Sequence, residues 1–193
     1  MLKSRVVSAQ LGGKSVTKMT VKGCPQGGVL SPLMWCLVMD SLLKKLKNLG
    51  YEAIGYADDL AVVIRGKFGH TVSDQMQNAL NLVMDWCKSE NLNANPTKTV
   101  LVPFTKKRIL NLIPISLSGT VLALSDQVKY LGVMLDKMLN WASHINMIKG
   151  KAIRNLMTCK SLVGRRWGLK PKVMRWLYLS VIRPTMTYAA YVW

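Results

Sequence analysis

Residues 51–64, YEAIGYADDLAVVI, leave this chain few ways to fold. Two adjacent aspartates, Asp58 and Asp59, stand between the short apolar runs EAIGYA and LAVVI. Two strand-length runs separated by polar residues read as a β-hairpin, here with the carboxylates at its turn. The chain has only nine acidic residues against 27 basic ones, so the pairing asks for a reason. An Asp-Asp turn lacks the glycine that tight hairpin turns favour, and neighbouring like charges repel. Two readings stay open on these residues alone. One is a solvated turn; the other is a site where a divalent cation offsets the charge.

The rest of the composition narrows the setting. Half of the 193 residues are apolar, enough to bury a core, so this is not a disordered polycation. The formal charge is +18. It is unevenly spread: residues 98–193 carry 16 Lys/Arg and two Asp/Glu, and nothing acidic follows Asp136. That imbalance points to a polyanionic partner, nucleic acid above all, over a merely solvated basic surface or anionic lipid. The longest unbroken apolar run, Leu33–Met39, is far short of the roughly 18 residues a membrane span needs. No signal peptide is recognisable, and the expected location is intracellular, in nucleus or cytoplasm. Cys24, Cys36, Cys87 and Cys159 lack zinc-ligand spacing and read as thiols in a reducing compartment.

Along the chain, Val16–Lys22 reads as a strand entering the loop GCPQGGVLSP. Ser31 reads as an N-cap and Pro32 as the first residue of a helix that stops at Gly50. Its first two turns are apolar nearly all round and are expected to be buried. After the hairpin, a helix is expected from about Val72 to Glu90, with Val72, Met76, Leu80, Val83 and Trp86/Cys87 on its inner face. NANPTKTVLVPF breaks at Pro96 and resumes as a strand. Between Leu112 and Leu135, short β-like runs alternate with turns at Ser118–Gly119 and Ser125–Asp126. A basic helix from Trp141 carries Ile145, Ile148, Ala152 and Leu156 on one side. Pro171 opens a last helix, ended by Arg183–Pro184. The order implies an α+β class, an antiparallel sheet with packed helices followed by a basic helical segment.

The pieces recur in a recognisable order. Gly23-Cys24-Pro25-Gln26-Gly27-Gly28 with Ser31-Pro32 comes first, then Tyr56-Ala57-Asp58-Asp59. Trp86-Cys87 and Asn95-Pro96-Thr97-Lys98-Thr99 follow, then KYLGVMLD with Trp141 and His144, and LYLSVIRPTMTYAAYVW at the end. In this order the chain resembles the reverse transcriptases of non-LTR (LINE-type) retrotransposons over nearly its whole length. The ADD form favours an RNA-directed DNA polymerase over a viral RNA-directed RNA polymerase.

That resemblance implies a partial polymerase palm over residues 1–136 and the beginning of a helical thumb over 137–193. It implies Asp58 as main ligand of Mg²⁺, or of Mn²⁺ in its place, with Asp59 as supporting ligand. Lys98 would approach the nucleotide phosphates and protonate departing pyrophosphate; as a bare residue it reads equally as a solvated turn lysine. Gly23, Pro25, Gln26 and Gly27, with Tyr56 and Ala57, would face nucleotide and template–primer; without the hairpin the first four read as a glycine-rich connector. KYLGV would grip the primer strand, and Trp141 and His144 would pack at the palm–thumb junction rather than bind metal. Lys149, Lys151, Arg154, Arg165, Arg166, Lys170 and Lys172 are candidate phosphate-backbone contacts. The implied partners are an RNA template, a DNA primer and dNTPs, with no membrane and no stated oligomeric state. The family's first catalytic aspartate, on a strand well upstream of the PQG loop, has no counterpart among the 22 residues before Gly23, none of which is acidic. Asp40 lies inside the following helix and is no substitute. The fingers are missing as well. The isolated chain is therefore expected to be inactive alone, and a non-catalytic nucleic-acid-binding relic or recruited fragment is the alternative.

Overall fold

In the computed structural model the described residues are 5–20, 27–107, 111–161 and 168–193. The chain divides into two units, one of Met1–Pro96 with Leu110–Val121, the other of Thr97–Ile109 with Leu122–Trp193.

The first unit opens with a hairpin that the sequence reading half missed. β1 (Arg5–Leu11) pairs antiparallel with β2 (Lys14–Thr20), from Arg5 opposite Thr20 to Leu11 opposite Lys14. Gly12 and Gly13 turn it, both at positive φ (55° and 79°). The Gly-Gly pair was the available hairpin signal.

α1 (Ser31–Asn48) and α2 (Gly69–Glu90) flank the hairpin of β3 (Glu52–Tyr56) and β4 (Asp59–Val63). Met39, Leu42 and Leu46 recur at helical spacing along α1 and meet Ala79, Val83, Trp86 and Cys87 of α2 in one buried cluster. Tyr51, Ala53, Leu60, Val62 and Ile64 pack on it from the hairpin. A polar relay stitches the two helices: the Trp86 indole donates to Ser41 Oγ at 2.9 Å, and Ser41 Oγ donates to the Val38 carbonyl at 2.8 Å. The α2 stripe holds at Val83, Trp86 and Cys87, and its outer half runs through Ser73 and Ala79.

Two expectations for α1 are corrected. The helix begins at Ser31, with Leu30 at the N-cap position and Pro32 one residue further in. Its first two turns are not buried: Leu33 and Leu37 are 59% and 66% exposed. The described elements cover α1 from one side only, so an all-round apolar sequence leaves its far side in solvent.

α2 is also the scaffold for the segment that follows. Gln77 bonds Ser116 twice, donating through Nε2 to the carbonyl at 3.0 Å and accepting the amide at Oε1 at 2.8 Å. Ser73 Oγ, buried, accepts the Ile113 amide at 3.0 Å. These side chains substitute for a strand partner and seat the short β5 (Ser116–Leu117) and β6 (Thr120–Val121), which turn at Ser118–Gly119 as expected. At the start of α2 a Cβ on Gly69 would overlap the Asn111 carbonyl, so the helix start needs glycine there.

Cys87 ends the buried stripe, and burial pushes its thiol above the ordinary value of 9.0, against a smaller lowering by a backbone hydrogen bond from Ala94. Well below pH 9.0 the thiol is neutral in both states. Above it the unfolded chain ionises while the folded thiol stays protonated, so stability falls as pH rises toward the raised folded value. Melting temperatures of wild type and Cys87→Ala, taken at about pH 8 and about pH 10 around the ordinary thiol range, should show a steeper alkaline loss for wild type. Equal slopes would remove Cys87 as a contributor.

In the second unit the region after Pro96 is a 3-10 turn (Pro96–Lys98), not the expected strand; Leu101 makes only an isolated bridge to Leu124. β7 (Gln127–Tyr130) and β8 (Val133–Asp136) form a hairpin around Leu131 and Gly132, both at positive φ (45° and 83°). Tyr188 donates its hydroxyl to the Leu131 carbonyl at 2.9 Å, and its ring would lie 3.1 Å from a Cβ on Gly132. Asp136 gathers the next turn, accepting the amides of Met138, Asn140 and Trp141 at 3.0–3.2 Å.

α3 (Ala142–Ser161) follows. Of the expected inner stripe Ile148 is buried and Ala152 half-buried, while Ile145 and Leu156 are 48% and 53% exposed and His144 takes the inner position in place of Ile145. The anchor is His144, fully buried, whose Nδ1 accepts the Met134 amide at 3.2 Å. The proton then sits on Nε2, which is buried without a hydrogen-bond partner, and the ring meets the edge of Trp193 at 5.5 Å. His144 is thus a packing residue on β8.

α4 (Pro171–Leu177) does not end at Arg183–Pro184 as expected. A π turn (Tyr178–Ile182) leads into α5 (Arg183–Thr187), with Pro184 in its first turn. Widening the turn ahead of the proline relieves the ring clash and the missing N–H that would otherwise stop the helix. Asn155 Nδ2 on α3 donates to Thr185 Oγ1 on α5 at 3.0 Å.

Candidate active site

The β3–β4 hairpin places the acidic pair. Its register sets Ala53 opposite Val62, Gly55 opposite Leu60 and Tyr56 opposite Asp59. Strand alternation turns Ala53, Gly55, Leu60 and Val62 toward the helices, and Ile54, Tyr56, Asp59 and Ala61 away from them. Gly55 lies over Met39 and Leu43 of α1, where a Cβ would sit 3.6 Å from each. The turn itself is Ala57–Asp58, so Asp58 is at the apex and Asp59 is the first residue of β4.

Ala57 has φ of 51°, the left-handed region that costs a residue with a Cβ roughly 1–2 kcal/mol. The Trp35 indole of α1 donates to the Ala57 carbonyl and holds the turn in that conformation. The tip is therefore braced against the first turns of α1.

Both carboxylates are exposed. Five of the other seven acidic residues have partners, whereas Asp74 and Glu90 enter no ion pair among the described residues. Asp40 pairs with Lys44 at 2.6 Å, Glu52 with Arg65 at 2.9 Å, Asp85 with Lys88 at 3.8 Å and Asp126 with Lys137 at 2.9 Å; Asp136 holds backbone amides. Among the described residues, no ion pair includes Asp58 or Asp59. Asp58 and Asp59 are also the one adjacent acidic pair in a chain with 27 cationic side chains.

These donors suit a hard divalent cation. Mg²⁺ commonly takes one or two carboxylates and leaves its other positions to water and phosphate oxygens. Among the described residues there is no group of three His, Cys, Asp or Glu side chains that could hold a metal, so two carboxylates are what this hairpin supplies.

Tyr56, Ala57, Asp58 and Asp59 are thus brought together on one hairpin. Lys98 ends the 3-10 turn, exposed, and belongs to the second unit. Gly27 is exposed at φ of 81°, just before α1. Gly23, Pro25 and Gln26, and likewise Arg165 and Arg166, lie outside the described residues. Lys149, Lys151 and Arg154 are exposed on α3, Lys170 is the N-cap of α4, and Lys172 is exposed in its first turn. Trp35 is the residue that sequence reasoning missed; an aromatic one helix upstream carries no local signal of a hydrogen bond to a turn.

Residues 2–135 match the family described as reverse transcriptase (RNA-dependent DNA polymerase). The chain belongs to the reverse transcriptase family. It is 29% identical over 179 residues to the "Retrovirus-related Pol polyprotein from type-1 retrotransposable element R1" of Bradysia coprophila, covering 92% of this chain and 18% of that protein. It is 28% identical over 187 residues to the "Probable RNA-directed DNA polymerase from transposon BS" of Drosophila melanogaster, covering 93% and 20%. The "RNA-directed DNA polymerase from mobile element jockey" of Drosophila funebris is 26% identical over 187 residues, covering 94% and 20%. This reverse transcriptase chain, whose relatives come from non-LTR retrotransposons, spans about a fifth of the length of these curated relatives. No solved structure matches it. Its mixed helices and short antiparallel strands accord with a partial palm, and among the described residues no helix is long and apolar enough to cross a membrane.

Proposed function

We propose that this chain is a palm segment, residues 1–136, with the first part of a thumb, residues 137–193, of an RNA-directed DNA polymerase. The reaction is transfer of a nucleotide from a dNTP to a primer 3′-hydroxyl on an RNA template, in nucleus or cytoplasm. The observation that carries the reading is the braced, exposed Asp58–Asp59 tip, in no ion pair among the described residues, in a chain whose net charge is +18. Asp58 would be the main Mg²⁺ ligand and Asp59 the weaker one. The bound metal would supply charge neutralisation at the phosphoryl oxygens and activation of the attacking hydroxyl. Tyr56 and Ala57 shape the tip toward the primer end, Gly23, Pro25, Gln26 and Gly27 face template and nucleotide, and Lys98 meets the nucleotide's phosphates. Lys149, Lys151, Arg154, Arg165, Arg166, Lys170 and Lys172 follow the backbone of the bound strands and do not select sequence.

The test is a hairpin graft. Residues 51–64 of this chain replace the matching hairpin in the polymerase of the Drosophila melanogaster jockey element, a 26% identical relative. Retained primer extension supports the reading; an inactive but folded graft counts against it. The chain by itself contributes two metal-holding carboxylates, so it is expected to give no primer extension on an RNA template with Mg²⁺. Extension by the purified chain that Asp58→Asn abolishes would overturn that expectation.

A further inference from the structure

The exposed surface of α4 combines features that a solvated helix does not need. Trp176 is 64% exposed, and on its own helix face, three residues to either side, Val173 and, in the following π turn, Leu179 are 39% and 42% exposed. Large apolar side chains grouped in water mark a contact surface. This one is interleaved with cations: Lys172 and Arg175 on α4 and Lys170 at its N-cap are all exposed. Lys172 lies four residues before Trp176 and three before Arg175, so it shares a helix face with each. No acidic residue follows Asp136, and among the described residues no ion pair includes these cations.

We propose that Trp176, flanked by Lys172 and Arg175, is a stacking platform for an unpaired base of a single-stranded nucleic acid. The proposal rests on the reading of this chain as a nucleic-acid-binding polymerase segment and adds a residue and a strand state to it. Charge complementarity selects the occupant: exposed cations suit phosphates, and an indole beside them suits the base that the phosphate carries. Duplex offers the same phosphates, but its bases are stacked on one another and closed to the indole. Base–aromatic stacking tolerates any base, so the platform would bind strand without reading sequence.

The test measures binding of the full chain, at low and moderate salt, to an oligouridine, an abasic strand with the same number of phosphates, and a blunt RNA duplex. Wild type should prefer the oligouridine to the abasic strand by about tenfold, the scale of one base–aromatic stack. Trp176→Ala should abolish that preference, and Trp176→Phe should keep most of it. Lys172→Ala should weaken binding to all three ligands and lower the salt slope by about one. Equal wild-type affinity for oligouridine and abasic strand, a comparison that needs no variant, overturns the platform. So does a Trp176→Ala chain that retains the preference. In either case strong, salt-sensitive binding leaves the nucleic-acid reading standing. Absence of binding to every ligand at low salt removes that reading, and the platform with it.

Discussion

Asp58→Asn in the grafted jockey polymerase is expected to lower primer extension about a thousandfold, with little change in stability. The magnitude is the rate equivalent of the several kcal/mol that a bound metal supplies to a phosphoryl displacement. Stability is spared because the side chain is exposed at the apex of the turn and makes no ion pair among the described residues. Asp59→Asn should cost less, about tenfold, in keeping with a weaker ligand or an electrostatic support. Single-turnover rates with both variants, alongside melting curves, separate the two effects. A solvated turn with no role would leave both rates unchanged, and an Asp58→Asn enzyme within twofold of the graft would defeat the assignment of Asp58. In the isolated chain the same change should leave nucleic-acid binding unchanged or slightly tighter, since it removes a negative charge near phosphate.

Trp86→Ala should destabilise the first unit by about 3–5 kcal/mol, the usual cost of removing a large buried aromatic. Trp86 is 4% exposed and joins α1 to α2 by packing and by its hydrogen bond to Ser41. Domains are stable by only about 5–15 kcal/mol, so such a loss would leave the unit close to unfolding. Trp86→Phe keeps most of the packing and loses the indole donor, and should cost nearer 1 kcal/mol. Urea denaturation followed by far-ultraviolet circular dichroism checks the order. The effect reaches the candidate site because α1 carries Trp35, which braces the carboxylate turn at Ala57. If Trp86→Ala melted like wild type, the α1–α2 contact would not be the support of the hairpin.

The local grammar of this chain was readable where one element carries its own signal. The carboxylate hairpin followed from two short apolar runs and the pair between them, and α2 from its 3.6-residue stripe. The turn at Ser118–Gly119 followed from turn chemistry. What misled was burial. The apolar start of α1 looked internal, yet Leu33 and Leu37 face solvent, because periodicity reports which residues can be buried and not whether anything covers them. The α3 stripe holds at Ile148 and Ala152 and fails at Ile145 and Leu156 for a related reason. His144 scores as polar in a sequence, and only the Met134 amide at its Nδ1 makes it the innermost residue. Pro184 reads as a helix stop, whereas the chain widens into a π turn and continues.

The sequence by itself determined the family, the acidic pair and the polyanion-seeking charge, because these depend on residue identity and order along the chain. The tertiary structure decided three things that depend on distant partners. Asp58, not both aspartates, occupies the turn, because the register sets Tyr56 opposite Asp59. Ala57 is held in a left-handed conformation by an indole 22 residues away. Trp176 stands in solvent beside cations that enter no ion pair among the described residues, although an isolated tryptophan in an amphipathic helix reads as core. Each is a statement about what lies across space from a residue, and a burial pattern read along one helix does not contain it.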